Sequence, residues 1–481
     1  MAFDLPEDGC CNGRDSGHKM SLMVIGAGSA GFSAAITAAE AGADVTLVGA
    51  GTIGGTCVNV GCVPSKTMIR AVEPLYQARH ASRFEGISSA ATVLNWQAVV
   101  GQKQQLVDDL RKAKYSDVLP SHPGVSYVEG KAKLTADGVL VEDTLYRPDK
   151  IIIATGSSNA VPPIPGIDSV PYLDSTSALD LAALPTSMIV IGGGVIGCEL
   201  GQMFARAGVK VTICCRSRLV PGMEPEISNH LTRYLEEEGI TVFSGLDYQS
   251  VTDIDGTINL TYQRDGTRQT VRAETLLLAA GRRPNTEGLG LEEAGVALNA
   301  WGGIDVDATM RSSNPMVYAA GDVTGRDMFV YMAAYGAKLA ARNAVGDEEP
   351  RYDNAAMPEV IFTDPQVATV GLTEAKARNQ GIDVKTSLIT LDHVPRYLAA
   401  RDARGLIKLV ADKMSDRLIG AHVLAPEGGE LIQTAVMAIK AGMTTGELGQ
   451  TIFPYLTGVE GLKLAAQTFD KDVSTLSCCA G

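Results

Sequence analysis

Two glycine loops of the same form constrain this chain more than any other feature. The first is Gly26-Ala27-Gly28-Ser29-Ala30-Gly31; the second, 166 residues further on, is Gly192-Gly193-Gly194-Val195-Ile196-Gly197. Each follows a short apolar run (residues 22–25 and 188–191), leads into a helical stretch (32–41 and 198–207), and is succeeded by a second apolar strand (44–48 and 210–214). In such a loop the first glycine permits a tight turn and the second lets backbone approach a pyrophosphate. The third lets helix and strand pack closely, while the helix N-terminus supplies N–H groups and a favourable dipole. One loop alone is weak evidence. Two, each in a strand–loop–helix–strand setting, predict two nucleotide-binding domains.

Pro162-Pro163-Ile164-Pro165-Gly166 reads as the linker into the second unit. A third stretch, 274–345, contains two apolar strands ending at Ala280-Gly281 and Ala320-Gly321-Asp322. From about residue 349 the chain has strands (406–410, 418–423) and a helix (431–441) but no glycine loop. The pattern predicts an α/β fold: two Rossmann-like dinucleotide-binding domains followed by a C-terminal α+β domain.

The chain carries 41 basic and 55 acidic side chains, a formal charge of −14. Such a surface repels phosphate backbones and anionic lipid, so no nucleic acid partner and no membrane insertion are expected. Residues 20–39 hold no charge, yet they include three loop glycines. A strand–turn–helix accounts for them better than a signal peptide or a membrane span. The nine cysteines are clustered, which points to redox or metal chemistry in a reducing compartment and to a cytoplasmic location.

The end of each second strand discriminates the nucleotide. Cys214 is followed by Cys215-Arg216-Ser217-Arg218, with no carboxylate. A carboxylate there bonds ribose hydroxyls, whereas arginine suits a 2′-phosphate, so Arg216 and Arg218 predict NADPH. The first unit departs from the rule. Its strand ends Leu47-Val48-Gly49-Ala50-Gly51, where an acidic residue is expected near position 49, and Asp44 stands at the wrong end. If this loop binds FAD, the adenosine ribose lacks its usual carboxylate and weaker flavin retention is expected.

Between the units stands Gly54-Gly55-Thr56-Cys57-Val58-Asn59-Val60-Gly61-Cys62-Val63-Pro64-Ser65-Lys66. Two cysteines five apart on an ideal helix do not face each other. Gly61 allows local unwinding, and a disulfide becomes possible. A helix N-terminus and Lys66 would favour a reactive thiolate. A buried structural pair or a zinc half-site is the competing reading, but no second Cys or His pair stands nearby at zinc-like spacing.

This segment resembles the active-site segment of the flavoprotein disulfide reductases, the FAD- and NAD(P)-dependent pyridine nucleotide-disulfide oxidoreductases. The resemblance covers nearly the whole chain, including both glycine loops, Ala154-Thr155-Gly156, Gly281-Arg282-Arg283-Pro284-Asn285-Thr286 and Ala320-Gly321-Asp322. It implies a glutathione reductase-like fold with FAD and NADPH as cofactors. The implied division is a flexible tail (1–19), an FAD-binding domain (20–155), an NADPH-binding domain (156–273) and a central segment completing the FAD domain (274–348). A dimerisation domain with a metal-binding tail (349–481) follows. It also implies that Cys57 and Cys62 form a redox-active disulfide, Cys62 lying against the flavin and Cys57 exchanging with substrate. Lys66 and Glu199 would pair beside the flavin ring and Asp322 would bond the ribityl chain. Cofactor contacts are implied at Gly26, Gly28, Gly31, Gly51, Thr56, Ala132, Val330, Gly192, Gly194 and Gly197.

Members of this family that act on organic disulfides use a C-terminal His-Pro motif, whose histidine serves as the base. The corresponding segment here is Phe453-Pro454-Tyr455-Leu456-Thr457, and none of the histidines at 18, 80, 122, 230, 393 and 422 stands there. A tyrosine with an ordinary pKa near ~10 is a poor base at neutral pH. The chain ends Leu476-Ser477-Cys478-Cys479-Ala480-Gly481. Adjacent cysteines form a strained ring if oxidised, so both thiols stay available, and two soft thiolates on a terminal tail suit a soft two-coordinate ion. Both features resemble the branch of the family that reduces mercuric ion. That resemblance implies Hg(II) arriving as a thiolate complex. The ion would pass from Cys478 and Cys479 of one subunit to Cys57 and Cys62 of the other, in a homodimer with a shared active site. Tyr115 and Tyr455 match family tyrosines near the metal path. A reductase of a low-molecular-weight disulfide and a thiol buffer without turnover are the alternatives, although two cofactor domains are excessive for a buffer. Cys198, Cys214 and Cys215 read as packing residues, and Cys10-Cys11 stays open as a metal-collecting pair.

Overall fold

A computed structural model describes residues 19–346 and 349–473. The Cys10-Cys11 and Cys478-Cys479 expectations therefore lie outside the described residues. The chain divides into two compact units. One comprises Met1–Gly55, Lys112–Ser157 and Pro284–Tyr352; the other comprises Thr56–Arg111, Ser158–Arg283 and Asp353–Gly481.

The first unit is built on a five-stranded parallel sheet in the order Val317–Ala319, Lys150–Ile153, Ser21–Ile25, Asp44–Gly49, Val125–Glu129. Its central strand is covered on both faces, which is why Leu22, Met23 and Val24 form an unbroken apolar run. The uncharged stretch 20–39 is this strand followed by the helix Ser29–Glu40. Among the described residues no helix is long and apolar enough to cross a membrane. The helix Val330–Val345 packs on Ser29–Glu40 through small side chains. A Cβ on Gly321 would sit 3.2 Å from both Ala30 and Ala333.

The second unit repeats the device. Its four-stranded parallel sheet runs Thr241–Phe243, Lys210–Cys214, Ser187–Ile191, Thr275–Leu278. The helix Cys62–Arg79 lays Met68, Val72 and Leu75 on the helix Val195–Arg206, where Leu200, Met203 and Phe204 complete the contact. The 68, 72, 75 spacing is the apolar stripe of an amphipathic helix. The C-terminal part of this unit is a five-stranded antiparallel sheet, Pro358–Ile361, Gln366–Gly371, Leu418–Ala425, Leu406–Asp412, Val384–Thr390, with the helix Gly428–Lys440 against it. The α/β class with an α+β C-terminal region is thus the observed architecture.

Helix starts differ from the sequence expectation. The two loop helices begin at Ser29 and Val195 and not at residues 32 and 198, and the C-terminal helix begins at Gly428 and not at 431. The physical reason is that the second glycine of each loop is already the N-cap. The third glycine therefore belongs to the first helical turn and is not part of the preceding turn.

Candidate active site

The two loops close by the same set of contacts. The Gly26 and Gly192 amides donate to the carbonyls of Val48 and Cys214, and the amides of Ala154 and Ala279 donate to Ile25 and Ile191. Gly26 and Gly192 hold positive φ (118° and 126°), and a Cβ on either would lie about 2 Å from the Ala154 or Ala279 carbonyl oxygen. On Gly31 or Gly197 a Cβ would fall 1.7 or 1.9 Å from the preceding loop carbonyl. The fold itself demands these four glycines. It does not demand the second glycine of either loop, since a Cβ on Gly194 meets nothing within 4 Å and one on Gly28 meets only the Gly55 Cα at 3.6 Å. Neither helix start has a side-chain cap or an acidic residue in its first turn. An open cradle over uncapped helical N–H groups fits a dinucleotide pyrophosphate in each unit.

In the first unit Asp322, one residue past the Gly321 turn, accepts a hydrogen bond from Ser157 Oγ at 2.6 Å. Val330 opens its helix, Ala132 opens the short strand Ala132–Thr135, and Gly51 holds φ 92°. Tyr115 stands over the start of the helix Ser29–Glu40. Its hydroxyl is 3.0 Å from Ser29 Oγ and its ring meets Phe32 edge-on at 4.8 Å.

The cysteine segment belongs to the second unit. The short helix Gly55–Asn59 ends before Val60-Gly61, and a new helix starts at Cys62. A Cβ on Gly61 would press on the Thr56 carbonyl at 3.0 Å, so glycine is what lets the two helix ends meet. Cys57 and Cys62 are consequently brought close enough for each thiol to shift the other's ionisation, both as free thiols, Cys57 half-buried and Cys62 exposed at the first position of its helix. The Cys57 hydrogen bond, then the Lys66 charge, pull the Cys62 thiol down to about 7, against the opposing effects of desolvation and Glu199. The same hydrogen bond, together with burial, pushes Cys57 well above the ordinary thiol range. The pair therefore loses its first proton from Cys62 while Cys57 remains a donor to it.

Lys66 is one helical turn beyond Cys62 and reaches Glu199 Oε2 at 2.6 Å. Glu199, on the helix Val195–Arg206, is only 3% exposed, and its other oxygen accepts the Phe362 amide at 2.8 Å. The Lys66 ammonium also lies over the Phe362 ring, 4.9 Å from its centroid. The carboxylate is thus held by two donors and fixes the cation near the thiols. Beside Cys214, Arg216 is exposed, whereas Arg218 donates to the Pro221 and Met223 carbonyls of its own loop. Cys198, Cys214 and Cys215 are buried, and burial pushes Cys214 and Cys215 up to about 12 and about 11. Tyr455 is half-exposed in a turn of the second unit, with Thr56 exposed in the helix Gly55–Asn59.

Ser29, Ser157 and Phe362 carry parts of these arrangements and were not legible in the sequence. Each touches its partner across 86 to 165 positions of chain, a pairing that no local spacing records.

The family described as pyridine nucleotide-disulphide oxidoreductase matches residues 20–339, and its dimerisation domain matches residues 357–466. A mercuric reductase of Acidithiobacillus ferrooxidans is 46% identical over 98% of this chain and 87% of its own length. One from Streptomyces lividans is 45% identical over 96% of this chain and 98% of its own length. Among solved structures, the copper(II) complex of an HOCl-induced flavoprotein disulfide reductase, RclA of Escherichia coli, aligns with a TM-score of 0.81 and 28% identity, covering 94% of this chain and 99% of that one. LpdA of Mycobacterium tuberculosis aligns with a TM-score of 0.82 and 26% identity, covering 94% and 99%.

Proposed function

We propose, for a chain that belongs to the pyridine nucleotide-disulphide oxidoreductase family, that it reduces mercuric ion to elemental mercury at the expense of NADPH. The observation that carries this reading is the pair of free thiols Cys57 and Cys62 on adjoining helix ends, with Lys66 one turn beyond Cys62 and held by the buried Glu199. The chain uses FAD and NADPH, which when bound supply the electron pair that Hg(II) consumes. In this reading residues 20–155 and 274–348 carry FAD, through the first glycine loop with Gly51, Thr56, Ala132, Asp322 and Val330. Residues 156–273 carry NADPH, through Gly192, Gly194 and Gly197 with Arg216 and Arg218. Residues 349–481 hold the dimerisation domain, and the chain works as a homodimer.

The chain's own residues manage the metal. Cys57, the thiol that exchanges with substrate, attacks mercury held by two carrier thiolates; its Hg–S bond forms as one carrier bond breaks, and that carrier leaves as a thiol with the Cys57 proton. The Cys62 thiolate then forms the second bond, and the second carrier leaves as a thiolate. Charge and atoms balance, and no free ion appears. Lys66 favours the thiolate, and Glu199 keeps Lys66 in place. Cys478 and Cys479 of one subunit would deliver mercury to the pair of the other, with Tyr115 and Tyr455 along that path, in the cytoplasm. A tyrosine at position 455 leaves no strong base for an organic thiol leaving group, which favours metal over disulfide as substrate.

The test follows NADPH oxidation with Hg(II) in thiol excess and then with organic disulfides. Sustained turnover with Hg(II) is expected. Turnover on disulfides alone, or stoichiometric binding without NADPH use, would overturn the reading. Replacing Cys478 and Cys479 by alanine should abolish Hg(II) reduction in thiol excess while NADPH still reduces the flavin.

A further inference from the structure

Gly49 ends the second strand of the first unit, where a doubly wound nucleotide domain ordinarily places the carboxylate that bonds ribose hydroxyls. Its backbone is not in the left-handed region, so conformation does not require glycine there. Space does. A Cβ on Gly49 would lie 2.6 Å from the Tyr127 hydroxyl oxygen and 2.7 Å from the Ala27 Cβ. Tyr127 comes from the neighbouring strand Val125–Glu129, paired with Leu47, and its side chain reaches along the sheet to cover the glycine. The phenol oxygen thus crowds the place where the first side-chain atom of residue 49 would be, a place that also abuts Ala27, the loop residue between the first two glycines. No hydrogen bond within the described residues engages that hydroxyl.

We propose that Tyr127 takes over the missing carboxylate's task, its hydroxyl bonding the adenosine ribose of FAD. This rests on the FAD reading of the first glycine loop. A neutral phenol has both a donor and an acceptor for a ribose diol, which a carboxylate lacks. Burial, then the nearby Glu129 carboxylate, raise the Tyr127 phenol above its ordinary value, so it remains an O–H donor at neutral pH. Glycine at 49 and tyrosine at 127 are then one exchange: the aromatic side chain excludes the acid it replaces. Restoring glutamate at 49 alone would drive its Cβ into Tyr127 and Ala27.

The test measures FAD dissociation from the full-length protein by the fluorescence of released flavin, with FAD and with an analogue lacking one adenosine-ribose hydroxyl. Tyr127→Phe keeps the ring and should weaken FAD about 3- to 10-fold, the range of one lost hydrogen bond. It should also erase the wild-type preference for FAD over one of the deoxy analogues. Gly49→Glu should lose more flavin than Tyr127→Phe, because its Cβ meets both Tyr127 and Ala27. Retention and analogue preference unchanged in Tyr127→Phe would overturn the proposal. So would losses appearing in Glu129→Gln and not in Tyr127→Phe. A wild-type protein that holds no FAD would overturn the underlying reading as well, and the two failures are distinct.

Discussion

Replacing Cys57 by alanine removes the largest single influence on Cys62. With its partner in place Cys62 sits near 7, against an ordinary value of 9.0. At pH 7 about half of it is thiolate; at the ordinary value about 1% would be. The Cys57 hydrogen bond contributes the most to this, and the Lys66 charge survives the substitution. The Cys62 value should therefore move most of the way back, and the thiolate fraction at pH 7 should fall about 10-fold. The sign is that of a depressed acid: reactivity is present above about pH 7 and lost as pH falls through it. The assay is the pH dependence of the alkylation rate of the reduced protein, in a background with Cys10, Cys11, Cys478 and Cys479 replaced by alanine. Cys198, Cys214 and Cys215 stay silent because burial holds their thiols protonated. Cys57→Ser supplies a hydroxyl donor at the same place and should keep much of the depression. An unchanged midpoint in Cys57→Ala would refute the hydrogen-bond account, and equal shifts in the alanine and serine variants would refute its chemistry.

Other expectations follow from the same contacts. Lys66→Met should raise the Cys62 midpoint further. It should also destabilise the fold by about 2 kcal/mol, less than a fully buried pair would lose, because Lys66 is partly exposed and Glu199 keeps the Phe362 amide; thermal melting would read this. Gly197→Ala should abolish folding of the nucleotide domain, whereas Gly194→Ala should fold normally and weaken NADPH binding; circular dichroism and nucleotide titration separate the two. Arg216→Ala should cost NADPH more affinity than NADH, and Arg218→Ala should mainly loosen the 218–223 loop, which differential titration and melting would distinguish.

Much of the architecture was readable along the chain because its signals are local. Apolar runs that end in glycine loops, and their recurrence, follow from steric rules acting over a few residues, so both strand–loop–helix–strand units could be placed. Helix starts were misplaced by three residues because a glycine can be an N-cap or a turn, and only hydrogen bonds decide which. The Cys57–Cys62 element was likewise visible as spacing. Which thiol ionises first was not, since that depends on a hydrogen bond and a cation brought together in space.

By itself the sequence determined the loop glycines, the cysteine pair and the absence of a carboxylate at position 49, because residue type and spacing alone carry these. Tertiary structure decided what each is for. It separated Gly26 and Gly192, which the fold needs, from Gly28 and Gly194, which it does not, through the close approach of Ala154 and Ala279 from distant chain. It set Glu199 and Phe362 behind Lys66, and it put the Tyr127 hydroxyl over Gly49. In each case the deciding partner lies dozens of residues or more away, and proximity of that kind exists only once the sheets have formed.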